Sequence, residues 1–362
     1  MDTVDLPVMP PLEPMLAKAQ AKVPPEPGVW SYEPKWDGFR SICFRDFEQV
    51  ELGSRNERPM TRYFPELIAA AAAELPERCV IDGEIVIATD HGLDFEALQQ
   101  RIHPADSRVR MLAKQTPASF IAFDLLALGD DDYTKRPFNE RSAALVDALT
   151  DAGPWFHVTP ATTELTTAQL WFDEFEGAGL DGLIAKTTDD HLSAGQARMF
   201  KIKHERTADC VVAGYRLHKS GDDAIGSLLL GLYKDEGTLA SVGVIGAFPM
   251  AKRRQLLIEL QPLVTTFDDH PWNWAAHMAG DRTPRRNEGS RWNAGKDLSF
   301  VPLRPERVVE VRYDHMEGER FRHTAQFNRW RPDREPRSCT YAQLEQPLAF
   351  SLGDIVPGLG PA

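Results

Sequence analysis

Up to residue 206, short apolar runs alternate with longer segments that carry a polar face. Gly28–Glu33 and Ser41–Phe44 predict strands, interrupted by Lys35–Arg40. Pro65–Leu75 is alanine-rich and predicts a helix that Pro76 ends. Cys79–Ala88 (CVIDGEIVIA) and Phe120–Leu128 (FIAFDLLAL) are nearly unbroken apolar runs of strand length, the pattern of buried strands. Asp94 opens a short helix through Ile102. Asn139–Leu149 and Thr167–Gly177 predict two further helices, and Leu183–Lys186 and Met199–Lys203 a pair of strands.

Near Arg206 the pattern changes. Cys210–Leu217, Ser227–Tyr233 and Thr238–Gly246 predict short strands separated by Gly/Asp-rich turns, as in a meander. A helix over Met250–Leu260 interrupts them and Arg307–Tyr313 returns to strand, while Phe267–Lys296, polar and rich in Trp and Arg, predicts a loop. Short strands with one helix suggest a small β-barrel of the OB type. The expected fold class is therefore α+β: a domain of antiparallel sheets and flanking helices over residues 1–207, then an OB-fold β-barrel over 208–362. Neither an internal repeat nor a low-complexity tract is visible in the sequence.

Composition narrows the class. The 362 residues are 42% hydrophobic and 26% charged, which is globular and long enough for two domains. No apolar run approaches the ~20 residues of a membrane span, and the proline-rich, acidic Met1–Met15 is not a signal peptide. The four cysteines are far apart and include no CxxC pair, which excludes a zinc ribbon and points to a reducing, cytoplasmic setting. A net charge of −13 argues at first against nucleic acid, but Ala251–Thr340 carries 17 Lys/Arg against 13 Asp/Glu, net +4. Local clustering matters more than the total for such partners, so nucleic acid stays open.

Candidate chemistry begins at Lys35-Trp36-Asp37-Gly38-Phe39-Arg40, a lysine at a strand end beside a tight turn. Asp82-Gly83-Glu84 places two carboxylates in a buried strand, where each needs a cation or donor. Asp124 repeats that pattern, and Asp181 and Lys186 stand at the two ends of another strand. Lys201 and Lys203 alternate with apolar residues and so face one side. Singly, each has an ordinary explanation as an edge salt bridge. Together they would bring acids and bases from four strands to one cleft, which suits phosphate chemistry with a divalent metal. The histidines form no HxxxH pair; His218, His315 and His323 are expected at the surface or facing DNA. Ser290–Asn293 (SRWN) could grip DNA or pack on the domain.

The ordered set EPKWDGFR, SRNE (Ser54–Glu57), DGEIV, FIAFDLL, DGLIAK and FKIK resembles the motif ladder of covalent nucleotidyltransferases, most closely the small stand-alone ATP-dependent DNA ligases of bacteria. Arg331-Pro332-Asp333-Arg334 resembles that family's last motif, carried on its OB domain. The resemblance implies that Lys35 takes AMP from ATP as a phosphoramidate. It implies Arg40 and Glu84 at the ribose, Glu33 at the adenine edge, and Phe123 stacked on the adenine face. Arg55 would meet the 5′-phosphate of a nick. Asp181, with Glu84, would hold Mg²⁺ (or Mn²⁺), Lys201 and Lys203 the α-phosphate, and Arg331, Asp333 and Arg334 the β- and γ-phosphates. Three positions depart from the family's pattern: Asp181 stands where Glu is usual, Met199 where Trp is frequent, and Arg334 where Lys is common.

The expected activity is sealing of 3′-OH/5′-phosphate nicks in duplex DNA by a monomer, in DNA repair, with repair polymerases or end-binding proteins as possible partners. The alternatives are an RNA ligase, an mRNA-capping guanylyltransferase, or a non-catalytic DNA-end-binding OB protein. Gly177-Ala178-Gly179-Leu180-Asp181-Gly182 spells a dinucleotide fingerprint, but a helix precedes it and a strand follows, the reverse of what that site needs. These glycines are expected to end the helix and turn into the strand.

Overall fold

A computed structural model describes residues 4–54, 59–268, 270–273, 299–344 and 350–361. The chain divides into two units, Met1–Lys203 with Pro347–Ala362, and His204–Gln346.

In the first unit the elements are β1 (Leu16–Gln20), β2 (Trp30–Pro34), β3 (Phe39–Asp46), β4 (Gln49–Ser54), α1 (Pro65–Glu74), β5 (Arg78–Val86), a small hairpin of β6 (Ala88–Thr89) and β7 (Gly92–Leu93), α2 (Phe95–Gln100) and α3 (Asp106–Gln115). There follow β8 (Ser119–Leu128), β9 (Asp131–Asp132), α4 (Phe138–Ala148), β10 (Phe156–Val158), α5 (Leu165–Glu174), β11 (Leu183–Thr187) and β12 (Ala197–Ile202). One sheet runs β1-β12-β11-β2 and a second β10-β8-β5-β3-β4, with β9 paired to β8. Asp94 caps α2, its carboxylate accepting the Ala97 N–H at 2.8 Å.

The two faces of β5 explain its sequence. Cys79, Ile81 and Ile85 point into one apolar core, under α1 and α4. On the other face Val80 and Val86 enter two further clusters, leaving Asp82 and Glu84 between them. Gly83 lets β8 come close: a Cβ there would lie 2.2 Å from the Phe120 ring and 2.5 Å from the Ile121 carbonyl. Asp82 and Asp124 are register partners across β5 and β8, and each has its own guanidinium. Arg40 forks onto Asp82 (3.1 and 2.6 Å), and the fully buried Arg141 onto Asp124 (2.8 and 2.9 Å). Each buried carboxylate thus has the hydrogen-bonding cation that its loss of water calls for.

The second unit holds β13 (Arg206–His218), β14 (Gly221–Tyr233), β15 (Leu239–Ile245), α6 (Met250–Leu260), β16 (Val301–Tyr313), the short pair β17 (Met316–Glu317) and β18 (Arg320–Phe321), and β19 (Gln326–Trp330). The five long strands form one antiparallel sheet, β15-β14-β13-β16-β19. Of the closed and partly open forms an OB-type barrel can take, this is the partly open one: among the described residues the sheet is not closed, and its two edges meet at an isolated bridge, Ile245 to Ala325. Most of the predicted Phe267–Lys296 loop, including Ser290–Asn293, lies outside the described residues, as does Arg55.

The division expected at residue 207 falls at 203/204, and the C-terminal residues do not stay with the second unit. Leu352 and Ile355 of α7 (Leu352–Ile355), with Val356 and Leu359, are buried in an apolar cluster of the first unit that includes Trp36 and Phe175. Burial of four such side chains is worth several kcal/mol, more than a short surface segment gains by staying solvated. β1 and α3 were not predicted. β1 (LAKAQ) is largely exposed and forms as the parallel edge partner of β12; α3 buries only Val109 and Leu112.

The contact at Gly83 gives a test: Gly83→Ala should lower stability by about 1–3 kcal/mol through overpacking against Phe120, read from urea unfolding. An unchanged midpoint would contradict the close approach of β5 and β8.

Candidate active site

Sheet register brings the candidate residues to one cleft of the first unit, with a volume of about 240 Å³. From the first sheet, Glu33 on β2, Ile184 on β11 and Lys201 on β12 are successive register partners, so their side chains share a face. From the second sheet, Arg40 and Glu84 are register partners and face the same cleft with Phe123. Lys35 and Trp36 lie in the connection between β2 and β3 and line it too.

Lys35 is clipped to the Asp181–Gly182 stretch three times. Its N–H donates to the Gly182 carbonyl at 2.8 Å, and its carbonyl accepts the Asp181 N–H at 2.9 Å. Its ammonium then meets Asp181 Oδ2 at 2.7 Å, and Lys203 Nζ reaches the same oxygen at 2.7 Å. Gly182 makes this possible. Its φ is +101°, and a Cβ would sit 2.0 Å from the Ile202 carbonyl, just before Lys203. The dinucleotide-like glycines are thus a helix end and a turn: Gly179 is left-handed after the 3-10 turn Phe175–Ala178, and β11 follows Gly182. Asp181 is almost fully buried, which by itself would raise its carboxyl pKa, but Lys35 and Lys203 outweigh burial and hold it below the ordinary value.

At the other end of the cleft Glu33 gives both oxygens to Lys186 Nζ, at 2.9 and 2.8 Å. Lys186 also donates to the Phe123 carbonyl at 2.9 Å and lies 4.9 Å from the centre of the Phe123 ring. The Arg40 guanidinium is 5.2 Å from that ring. Burial pushes the Glu33 carboxyl pKa up, and Lys186 pulls it back only in part. Lys186 stands in the quoted DGLIAK run without an assigned role. Its signal was available: a lysine that closes an apolar strand needs an acid partner once that strand is buried.

Glu84 occupies the middle, partly accessible from the cleft. Burial pushes its pKa up to about 7, with Asp82 adding to the rise and Lys35 and Arg40 opposing it. Among the described residues no cluster of three or more His, Cys, Asp or Glu forms a metal cage. Asp181 and Glu84 are the carboxylates at hand, a donor set that suits Mg²⁺ brought in on phosphates rather than a pre-built site.

Arg331, Asp333 and Arg334 lie in the second unit. Arg331 bridges Asp209 (3.0 and 2.9 Å) and Asp333 (2.8 Å at closest), and Arg334 is 3.6 Å from Asp209. The Arg331 hydrogen bonds draw the Asp333 carboxyl down to about 2. Asp124, counted among the site's carboxylates from sequence, is instead committed to Arg141.

An amine held beside a carboxylate, flanked by further cations and closed at one end by an aromatic ring and a buried acid–base pair, has the chemistry to receive a nucleotide by its phosphates. Two family models cover the chain: the ATP dependent DNA ligase domain matches residues 14–203, and the ATP dependent DNA ligase C terminal region matches 221–334. The chain is 78% identical over 360 residues to DNA ligase C of Mycobacterium tuberculosis, covering 98% of this chain and 100% of that one. It is 74% identical over 346 residues to DNA ligase C2 of Mycolicibacterium smegmatis, covering 95% and 97%. A solved structure of a Lig E DNA ligase, 19% identical, shares the fold with a TM-score of 0.54 over 88% of this chain and 99% of that one. This chain belongs to the ATP-dependent DNA ligases.

Two measurements check the geometry. Because the Glu84 pKa lies above its ordinary 4.5, the folded state binds more protons than the unfolded one between that value and about 7. The stabilisation is present at low pH and lost as pH rises through 7. Glu84→Gln should therefore flatten the fall in Tm between pH 5 and 8, and an unaltered slope would contradict the assignment. Lys186→Met should cost about 3–5 kcal/mol in denaturant unfolding, because it strands the Glu33 charge. A loss below 1 kcal/mol would show that the pair is not buried as described.

Proposed function

We propose that the chain seals 3′-OH/5′-phosphate nicks in duplex DNA, with Lys35 as the residue that carries AMP. The observation that supports this best is the Lys35–Asp181–Lys203 arrangement: one carboxylate oxygen fixes the reactive amine and a second cation 2.7 Å away on each side. Lys35 Nζ attacks the α-phosphorus of ATP, a P–N bond forms, and the bond to pyrophosphate breaks. AMP then passes to the 5′-phosphate of the nick, and the 3′-OH displaces it to close the strand. All three are phosphoryl-group displacements in which positioning and charge neutralisation supply most of the rate.

In this reading Asp181, held ionised by the two lysines, orients the Lys35 amine. Lys201 and Lys203 face the α-phosphate. Phe123 offers its ring to adenine, with Glu33 at the base's edge, steadied by Lys186. Arg40 and Glu84 meet the ribose. Magnesium, where Asp181 and Glu84 contribute to holding it, would supply further neutralisation of phosphate charge. Arg331, Asp333 and Arg334 act on the β- and γ-phosphates, and Arg55 on the nick's 5′-phosphate. Contacts to backbone phosphates would make DNA binding fall steeply with salt.

Incubation with Mg²⁺ and α-labelled ATP or GTP, followed by a denaturing gel, tests the reading. Label is expected on the wild-type chain from ATP, not from GTP. Lys35→Ala should abolish it, a loss of at least about a thousandfold, and nicked DNA should chase it off. Label from GTP would place the chain with capping enzymes. No label from either, in protein first stripped of AMP with pyrophosphate, would contradict the reading.

A further inference from the structure

Behind the cleft lies an apolar cluster with two sources. Six of its buried members, Trp36, Val86, Ile121, Phe175, Ala178 and Leu180, come from the body of the first unit, and the others, Leu352, Ile355, Val356 and Leu359, from the C-terminal segment. The first group tracks the site. Trp36 follows Lys35 in the chain and Leu180 precedes Asp181. Ile121 is the register partner of Glu84, and Val86 lies two residues beyond Glu84 on the same strand face.

The contacts of Trp36 are divided in the same way. Its indole N–H donates to Thr159 Oγ1 at 2.8 Å, and its apolar surface is enclosed in this cluster, leaving the residue 5% exposed. The segment also reaches the turn that leads into Asp181, where the Phe350 and Phe175 rings are 5.1 Å apart. By contrast, the core beneath the second sheet draws on none of these four C-terminal residues. The segment therefore bears on the two backbone stretches that carry the Lys35 amine and the Asp181 carboxylate.

We propose that residues 350–361 are a positioning element for Lys35, bracing Trp36 and Leu180 so that the amine keeps its place beside Asp181 when the α-phosphate arrives. The proposal rests on the reading of Lys35 as the residue that takes AMP. The groups assigned to the adenine end, Glu33, Phe123 and Lys186, are joined by their own buried hydrogen bonds, and none of them is a member of the cluster. Loosening it should thus slow AMP transfer while leaving ATP affinity nearly intact.

The test uses the full chain carrying Leu352→Ala and Ile355→Ala together, with Leu352→Met and Ile355→Val as the conservative pair. Three quantities are measured: the single-turnover rate of AMP transfer to Lys35, the half-saturating ATP concentration, and the rate at which a nick already bearing AMP on its 5′-phosphate is sealed. The alanine pair should slow AMP transfer more than about tenfold, as displacement of a reacting group does. Half-saturation should move less than about threefold, and sealing of the pre-adenylylated nick, which makes no use of the amine as nucleophile, less than about twofold. The conservative pair should restore transfer. Unchanged transfer, or transfer and sealing both slowing while half-saturation rises and Tm falls, would overturn the proposal. Should the alanine pair fail to fold, Leu359→Ala must show the same selective loss. A wild-type chain that takes no AMP on Lys35 would be a failure of the underlying reading, and the proposal would fall with it.

Discussion

One carboxylate oxygen organises the site. Asp181 Oδ2 holds the ammonium groups of Lys35 and Lys203, each at 2.7 Å, and it can do so only because Gly182 turns the chain through a left-handed conformation against β12. Two backbone hydrogen bonds between the Lys35 and Asp181–Gly182 stretches fix the spacing before the side chains act. Two cations sharing one anion leave a local excess of positive charge in a partly buried place. Such charge interacts more strongly there than in water. In the proposed reading the anion it meets is a phosphate.

Other cations are instead matched one to one with acids. Arg40 is held by Asp82, Lys186 by Glu33, and, away from the cleft, Arg141 by Asp124. Buried pairs of this kind contribute little net stability, but removal of one partner is costly, so the network resists rearrangement. Glu84 is the exception. Two cations nearby do not offset its burial, and its pKa near 7 leaves it ready to change protonation state with its surroundings.

Much of this was legible in the sequence because burial and charge conflict visibly there. Carboxylates inside apolar strands at Asp82, Glu84 and Asp124 demanded partners, and the alternation of Lys201 and Lys203 fixed their common face. Which partner each acid takes was not legible, since register and cross-strand geometry decide it; Asp124 lies in the same row as Asp82 yet serves the scaffold. Long apolar strands and the α6 helix emerged at their expected places. The exposed β1 did not, because its pairing with β12 rather than its own composition makes it a strand. The C-terminal segment was assigned to the wrong unit for a similar reason: Leu352, Ile355, Val356 and Leu359 carry an apolar pattern, but nothing local says against which core it is buried.

The account depends most on Lys35 as the residue that carries AMP. The direct measurement is peptide mapping by mass spectrometry, after the chain has been stripped with pyrophosphate and recharged with Mg²⁺ and ATP. The account predicts a single AMP-bearing peptide containing Lys35. AMP on Lys201, Lys203 or Lys186 instead, or an uncharged chain, would contradict it.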